Sequence, residues 1–331
     1  MQYFEVKENK IVCKLCHHYC HLAEGISGFC HVEKNINSQL VNTTYGYPSA
    51  LNLDPIEKKP LYHFLPQSKS LSLGTVGCNL RCPFCQNHAI SQAKTSSNSK
   101  YFSPSDMLSL AQNNNAKSIS YTYNEPVVFY PYARDIGVLA REVGIKNIFV
   151  SSGFESPEVL EDMKQWVDAA NIDLKSFNKD YYKKTLKAGL NEVKKTLTTL
   201  SKSNIHIEIT TLIIENINSS DYEISEMCKF ISNEVGVTIP LHFSAFHPNY
   251  KMLETPITSL QLLKRVKEIA VKEGIQYVYL GNVANDNSTY CYHCDALLIQ
   301  REGFNVLQNN LITSNKKSIC PKCLTKLNGV F

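Results

Sequence analysis

The stretch SLSLGTVGCNLRCPFCQN, residues 70–87, is the part of the chain that decides the fold class. Its first seven residues, Ser70–Val76, form a short apolar run that predicts a buried strand. Cys78, Cys82 and Cys85 follow at once with the spacing C-x3-C-x2-C. This order predicts a metal-binding loop at the carboxyl end of a strand, where α/β proteins place their active groups.

Further strand and helix patterns alternate downstream of this stretch. The predicted strands are 118–123, 147–152, 169–175, 206–213 and 240–245, with a seventh at 276–280. The predicted helices cover 104–113, 127–143, 157–165, 191–203, 220–235 and 259–272. Pro104 and Pro157 each follow a serine, which is typical of a capped helix start. The alternation predicts parallel βαβ units in a partial or complete α/β barrel or a doubly wound sheet.

Length and composition favour one large domain with two appendages. The chain has 331 residues, of which 43% are hydrophobic, so a packed core is expected and a disordered chain is excluded. We predict an N-terminal Cys-rich module over 1–66, a core over 67–285 and a C-terminal module over 286–331. With neither a long apolar run nor a signal-peptide pattern, we expect a cytoplasmic protein without a membrane contact. The net charge of +4 and the lack of a basic, aromatic-rich stripe count against nucleic acid.

The cysteines carry the chemical signal. Eleven of the 12 fall into three groups, and clustered cysteines in a cytoplasmic chain usually hold metal rather than disulfides. The remaining one, Cys228, lies in an amphipathic helix pattern and is predicted to be a buried small hydrophobe.

The trio Cys78, Cys82 and Cys85 favours an iron–sulfur cluster. Such clusters are usually held by four thiolates, so a local trio leaves one iron of a 4Fe–4S cubane open to an exogenous chelating ligand. The alternative is a zinc knuckle that borrows a distant fourth ligand such as His88.

The two outer groups predict further metal sites. Two C-x-x-C pairs separated by 25 residues are typical of a zinc ribbon and favour structural zinc over a second cluster; they are Cys291, Cys294, Cys320 and Cys323. The N-terminal group leaves zinc and a second cluster for electron entry both open, with neighbouring histidines as substitute ligands; it consists of Cys13, Cys16, Cys20 and Cys30.

On these motifs the chain resembles the radical S-adenosylmethionine (SAM) superfamily, whose signature is the C-x3-C-x2-C loop with an aromatic residue before the last cysteine, here Phe84. It resembles more closely the activases of glycyl radical enzymes, such as pyruvate formate-lyase activation, and most closely the AmmeMemoRadiSam radical SAM proteins. The segments that carry the resemblance are Asp54–Phe64, Gly77–Leu80, Cys85–Asn87, Tyr123–Pro126 and Phe246–Pro248.

The resemblance implies a partial (β/α)6-type TIM barrel flanked by the two Cys-rich modules. It also implies a 4Fe–4S cluster on which SAM is reductively cleaved to a 5′-deoxyadenosyl radical that abstracts a substrate hydrogen. The residues it implies for SAM are Asn124, Glu125, Ser152, Asp173, Lys175 and His247, with Thr210 and Thr211 as weaker candidates. Val150 stands where the activases carry an aspartate proposed to help hold a cation, so a cation site is in doubt.

Three hypotheses on function follow. The first is a radical SAM enzyme that forms a glycyl radical on a partner protein. The second is an enzyme of the same class that modifies a small molecule or another protein. The third is a non-catalytic zinc- or nucleic-acid-binding module, which the charge pattern disfavours. The resemblance implies a low-potential ferredoxin- or flavodoxin-type electron donor, and Memo-like and AMMECR-like proteins as pathway companions.

Overall fold

A computed structural model of the protein describes residues 3–95, 100–314 and 317–331. Residues 1–2 of the predicted N-terminal module and 315–316 of the predicted C-terminal module lie outside the described residues. None of the described helices is both long and apolar enough to cross a bilayer.

The N-terminal segment consists of short antiparallel strands. Strands β1 (Phe4–Lys7), β2 (Lys10–Cys13) and β3 (His21–Leu22) form one sheet, and β4 (Glu33–Ile36) and β5 (Gln39–Asn42) form a hairpin. Ile11 on β2 and Val32, directly before β4, are fully buried members of the main hydrophobic core, so this segment packs on that core.

An eight-stranded sheet forms the centre of the molecule. The chain order of its strands is also their spatial order, and all neighbours are parallel except the first pair. The strands are β6 (Ala50–Pro55), β7 (Lys69–Gly74), β8 (Ser118–Tyr121), β9 (Lys146–Ser151), β10 (Ala169–Asp173), β11 (His206–Ile213), β12 (Leu241–Ala245) and β13 (Val278–Gly281). In this register Leu73 pairs with Tyr121 and Tyr121 with Phe149, so the carboxyl ends of consecutive strands lie side by side.

Helices connect the parallel strands. They are α1 (His88–Ser91), α2 (Pro104–Asn113), α3 (Tyr130–Glu142), α4 (Pro157–Met163), α5 (Lys179–Tyr181), α6 (Leu190–Leu200), α7 (Asp221–Phe230) and α8 (Leu260–Lys272). Short 3₁₀ turns cover Ile56–Lys58 and Pro126–Phe129, and π turns cover Tyr182–Leu186 and Ile231–Gly236. Ser103 and Ser156 accept hydrogen bonds from the third backbone N–H of their helices, which confirms both predicted caps.

The C-terminal segment forms two small antiparallel sheets. Strands β14 (Thr289–Tyr290), β15 (Leu297–Glu302) and β16 (Asn305–Asn309) form one, and β17 (Ile312–Ser314), β18 (Lys317–Ile319) and β19 (Lys326–Leu327) form the other. The buried Arg301 on β15 ties this segment to the chain before β7, because its guanidinium donates to the Tyr62 carbonyl at 2.7 Å.

The strand–helix alternation predicted from the sequence is confirmed as an α/β fold with a mostly parallel sheet, and the seventh strand is present as β13. The sequence pattern did not indicate β6, which comes from the segment predicted as an N-terminal module and pairs antiparallel with β7. Each predicted helix is present, with ends that differ by a few residues.

Candidate functional site

A cavity of about 580 Å³ lies at the carboxyl ends of the central strands. This is the size of a site for a medium-sized ligand, and it lies at the edge where parallel sheets bind ligands. The predicted residues that line it are Cys78, Cys82, Cys85, Asn124, Glu125, Ser152, Asp173, Lys175 and Thr210. Residues from five consecutive strand ends therefore meet in one place.

The cysteine loop after β7 forms one wall. Cys78 and Cys82 are buried and Cys85 is half-buried, and all three line the cavity. The Leu80 N–H donates to the Cys78 Sγ at 3.3 Å, and the Ser91 Oγ lies 3.2 Å from the Cys85 Sγ. Burial raises the pKa of Cys78, and the Leu80 N–H opposes that rise and so favours the thiolate, the form in which cysteine binds metal.

Asn124 holds the cysteine loop from the neighbouring strand end. Its buried side-chain Nδ2 donates to the Gly77 carbonyl at 2.8 Å, and its Oδ1 accepts from the Thr75 N–H at 3.1 Å. Both amide atoms are thus engaged with the backbone just before Cys78. In the structure the contacts of Asn124 position the loop, and its remaining surface faces the cavity.

Glu125 is a buried carboxylate at the wall of the cavity. Its Oε1 accepts from the Ser152 Oγ at 2.6 Å and from the Ser152 N–H at 3.0 Å, and its Oε2 accepts from the Ser151 Oγ at 3.0 Å. Burial raises the pKa of Glu125, while Lys175 and the serine donors oppose that rise. The predicted SAM residue Ser152 therefore acts on the orientation of Glu125.

Lys175 supplies the opposite charge. Its Nζ lies 2.8 Å from the Asp173 Oδ2. Burial alone would lower the pKa of Lys175, but Asp173, the Cys82 thiol and Glu125 outweigh it and raise that pKa. The cavity thus contains a fixed ammonium and a fixed carboxylate near the three thiols, which suits a zwitterionic ligand with its own amine and carboxylate.

Other predicted residues lie in different surroundings. The Thr210 Oγ1 lines the cavity and has no hydrogen-bond partner among the described residues, whereas the Thr211 Oγ1 donates to the Leu174 carbonyl at 2.9 Å. The apolar Val150 lines the cavity. His247, predicted as a SAM residue, is exposed and is not itself among the residues that line the cavity. Its Nε2 donates at 3.1 Å to the carbonyl of Asn282, which lines the cavity.

Several residues of the cavity were not assigned from the sequence. Lys59 is 3% exposed, pairs with the Asp54 Oδ2 at 2.6 Å and lies over the ring of Tyr123 at 4.7 Å. Phe304 reaches the cavity from the turn between β15 and β16. Lys59 lies in the segment Asp54–Phe64, which carries the family resemblance, so the sequence contained a signal for it. Nothing in the sequence placed Phe304 near residues more than 100 positions away.

The N-terminal cysteines surround a second, small cavity. All four line it, together with Glu33 and apolar side chains such as Val127 and Val128. The structure therefore brings Cys13, Cys16, Cys20 and Cys30 together.

The C-terminal cysteines form a tight group. The Sγ atoms of all four lie within 4.8 Å of one another, with 3.5 Å between Cys291 and Cys323 and 3.7 Å between Cys294 and Cys320. Within the described ranges, no other group of three or more Cys, His, Asp or Glu side chains meets this spacing. The arrangement fits a metal ion held by four sulfurs.

Comparison with known proteins agrees with this geometry. The family model of the radical SAM superfamily matches residues 72–230. The chain is 40% identical over 334 residues to an uncharacterized protein of Methanocaldococcus jannaschii, an alignment that covers 100% of this chain and 99% of the relative. It is 24% identical to a "putative glycyl-radical enzyme activating enzyme" of the same organism, over 66% of this chain and 80% of the relative.

Solved structures share the fold at low sequence identity. A radical SAM methyltransferase from Sphaerobacter thermophilus superposes with a TM-score of 0.51 at 14% identity, over 66% of this chain and 67% of that one. Streptococcus suis SuiB bound to its precursor peptide SuiA gives a TM-score of 0.51 at 14% identity, over 72% and 55%. Fold and site define an α/β protein with a cysteine loop at the carboxyl ends of its strands. The chain belongs to the radical SAM superfamily, which implies a 4Fe–4S cluster and SAM.

Proposed function

We propose that the protein cleaves SAM reductively and uses the product to abstract a hydrogen atom from a substrate. The observation that carries this proposal is that the buried Glu125 and the half-buried Lys175 line the same cavity as the three thiols. When bound, a 4Fe–4S cluster supplies one electron that splits SAM into methionine and a 5′-deoxyadenosyl radical. The chain positions both groups and excludes water from them.

Individual residues have distinct proposed roles. Cys78, Cys82 and Cys85 hold the cluster, Glu125 accepts hydrogen bonds from the SAM amine, and Lys175 binds the SAM carboxylate. Asn124, Ser152 and Asp173 orient these groups through the hydrogen bonds and the ion pair described above. His247 does not line the cavity itself but donates to the carbonyl of Asn282, which does, so its role as a SAM ligand stays a prediction.

For the substrate we propose an activase-like reaction in which the hydrogen comes from a glycine of a partner protein. The similarity to the glycyl-radical activating relative supports this choice. The alternative is hydrogen abstraction from a small molecule or another protein position. Transfer of deuterium into 5′-deoxyadenosine from a partner protein made with deuterated glycine would support the first, and transfer from a labelled small-molecule fraction the second.

Further parts of the proposal concern the surroundings of the reaction. The sheet is proposed to form the partial barrel of this superfamily, and the C-terminal group to hold structural zinc. Thiolates at a Zn–S distance of about 2.3 Å around one ion lie about 3.8 Å apart, close to the two spacings measured there. We propose a flavodoxin- or ferredoxin-type electron donor, Memo-like and AMMECR-like companions in the same pathway, and a cytoplasmic location.

The test is SAM cleavage by anaerobically prepared protein reduced with dithionite. Wild type is expected to form 5′-deoxyadenosine, and Glu125→Gln to bind SAM about 10- to 100-fold more weakly through the loss of charge-assisted hydrogen bonds. Glu161→Gln, an exposed glutamate on α4, is the matched control and should behave as wild type. Wild-type protein that carries its cluster but forms no 5′-deoxyadenosine would overturn the proposed function.

A further inference from the structure

The N-terminal cysteine group has a geometry of its own. Its cavity leaves about 20 Å³ for the centre of a water molecule, which corresponds to a space roughly 6 Å across once the radius of the water is added. A cubane of four irons and four sulfides is of this order of size. A single zinc ion would instead draw four sulfurs to about 3.8 Å of one another and leave no such space.

The spacing of the thiols separates the three cysteine groups of this chain. The C-terminal Sγ atoms all lie within 4.8 Å, whereas neither the N-terminal four nor the trio after β7 reaches this closeness, although all of these residues are described. The thiolates of a cubane bind different irons and so stand further apart than ligands of one ion. The N-terminal group therefore matches the trio, which belongs to a cluster-binding family, and not the C-terminal group.

Two buried side chains next to this cavity have polar atoms without a hydrogen-bond partner among the described residues. Glu33 lines it and is 2% exposed; its Oε1 accepts from the Asn42 Nδ2 at 2.5 Å, but its Oε2 has no hydrogen-bond partner among the described residues. Asn79 is fully buried, and its Nδ2 and Oδ1 have no hydrogen-bond partner among the described residues. Its backbone carbonyl accepts from the Nε2 of His18, which lines the cavity, at 2.8 Å. Buried polar atoms of this kind indicate a polar group in the cavity.

The same cavity adjoins the catalytic loop. Gly77 directly precedes Cys78, has a φ of +86°, and approaches Cys30 so closely that an added Cβ would lie 2.5 Å from the Cys30 carbonyl oxygen. Arg81 bridges the two groups, because its guanidinium donates to the Cys78 carbonyl at 2.8 Å and to the Phe29 carbonyl at 2.5 Å. Asn79 adjoins Cys78 in sequence and Cys16 in space.

We propose that Cys13, Cys16, Cys20 and Cys30 hold a second 4Fe–4S cluster that passes electrons to the cluster on Cys78, Cys82 and Cys85. A low-potential one-electron donor of the flavodoxin or ferredoxin class loses one electron, which reduces the N-terminal cluster. That electron then moves to the catalytic cluster, with no bond formed or broken in the chain. Half-buried Cys16 and Cys20 place the N-terminal cluster between solvent and the catalytic loop. The destination of the electron rests on the proposed function; the presence of the cluster does not.

The first test uses a triple variant, Cys78→Ser/Cys82→Ser/Cys85→Ser, of the full chain reconstituted anaerobically with iron and sulfide. We expect about four irons per chain to remain, against about eight in wild type. On reduction, the variant should give a 4Fe–4S electron paramagnetic resonance signal that SAM does not change. The proposal would be overturned if the variant bound no iron and if wild type contained about two zinc ions and about four irons per chain. Because wild-type iron is counted as well, the result stands even if the variant folds poorly.

The second test concerns electron transfer and uses Cys20→Ser, with Cys228→Ala as the matched control at a buried lone cysteine. In Cys20→Ser, SAM cleavage driven by flavodoxin should fall at least tenfold more than SAM cleavage driven by dithionite. The reason is that dithionite can reduce the catalytic cluster directly. Equal losses with both reductants would contradict the relay. If wild type holds about eight irons but forms no 5′-deoxyadenosine, the proposed function fails while the second cluster stands.

Discussion

The two four-cysteine groups at the ends of the chain have the same number of thiols but differ in how the backbone presents them. The C-terminal thiols come from two C-x-x-C knuckles, and their four Sγ atoms converge to within 4.8 Å of one another. The N-terminal thiols follow a C-x2-C-x3-C-x9-C spacing and come from the end of β2, the loop after it and the residue before His31. They surround a space instead of closing on one point. Ligand count alone therefore does not identify a metal; the spacing of the ligand atoms separates a single ion from a cluster.

The largest expected effect is a reciprocal loss of metals. Cys320→Ala should release zinc completely and expose residues 289–331 to protease, because metal binding is coupled to the folding of small modules. Its iron content should stay at the wild-type level. Cys30→Ala should lower iron by about four per chain and leave zinc in place. Metal analysis gives the zinc and iron content of the two variants, and limited proteolysis tests the exposure of residues 289–331. Loss of the same metal from both variants would show that the two cysteine groups do not bind different metals.

An intermediate effect is expected where the C-terminal segment docks. Arg301 is buried, donates to the Thr289 Oγ1 and the Tyr62 carbonyl, each at 2.7 Å, and lies 3.8 Å from the Glu57 carboxylate. Arg301→Leu should lower the free energy of unfolding of this segment by about 3–5 kcal/mol, because it leaves a buried carboxylate unpaired. Hydrogen exchange of β14–β16 is the measurement. Exchange rates equal to those of wild type would show that the docking does not depend on this ion pair.

The smallest expected effect concerns the cavity. Phe304 is 47% exposed yet lines the cavity from the C-terminal segment. Phe304→Ala should raise the KM for the hydrogen-donating substrate about tenfold, since part of an aromatic contact is lost, while SAM binding stays near the wild-type value. Phe304→Tyr should restore most of the affinity. If Phe304→Ala changes SAM binding instead, the C-terminal segment contacts the cofactor and not the substrate.

The fold could be predicted where buried elements have a regular pattern of apolar residues in the sequence. Strands β7 to β13 are apolar runs bounded by turn residues and were predicted within a few positions. Strand β6 has two exposed residues in its middle, so its pattern is that of a loop. The strands of residues 3–42 are two to four residues long and owe their stability to packing on the core, for which no local signal exists.

The candidate site shows the same limit. Glu125, Asp173 and Lys175 could be proposed because they follow strands whose carboxyl ends meet at one edge. Lys59 and Phe304 reach the cavity only through the docking of remote segments, which no spacing rule describes. His247 follows β12 as the resemblance requires, but the chain turns it towards Asn282 and solvent.

The position of Phe304 at a hairpin tip connects the order in which the chain binds its metals with how tightly SAM cleavage is coupled to the substrate reaction. Strands β15 and β16, which flank Phe304, belong to the segment that the C-terminal cysteines are proposed to hold through zinc. A chain that has bound iron but not zinc would therefore have a complete cluster site next to a cavity wall that is not yet folded. We expect such half-matured molecules to consume SAM without transferring hydrogen from the substrate. Zinc supply would then govern how many cleavage events are productive, even though none of the four proposed zinc ligands lines the cavity.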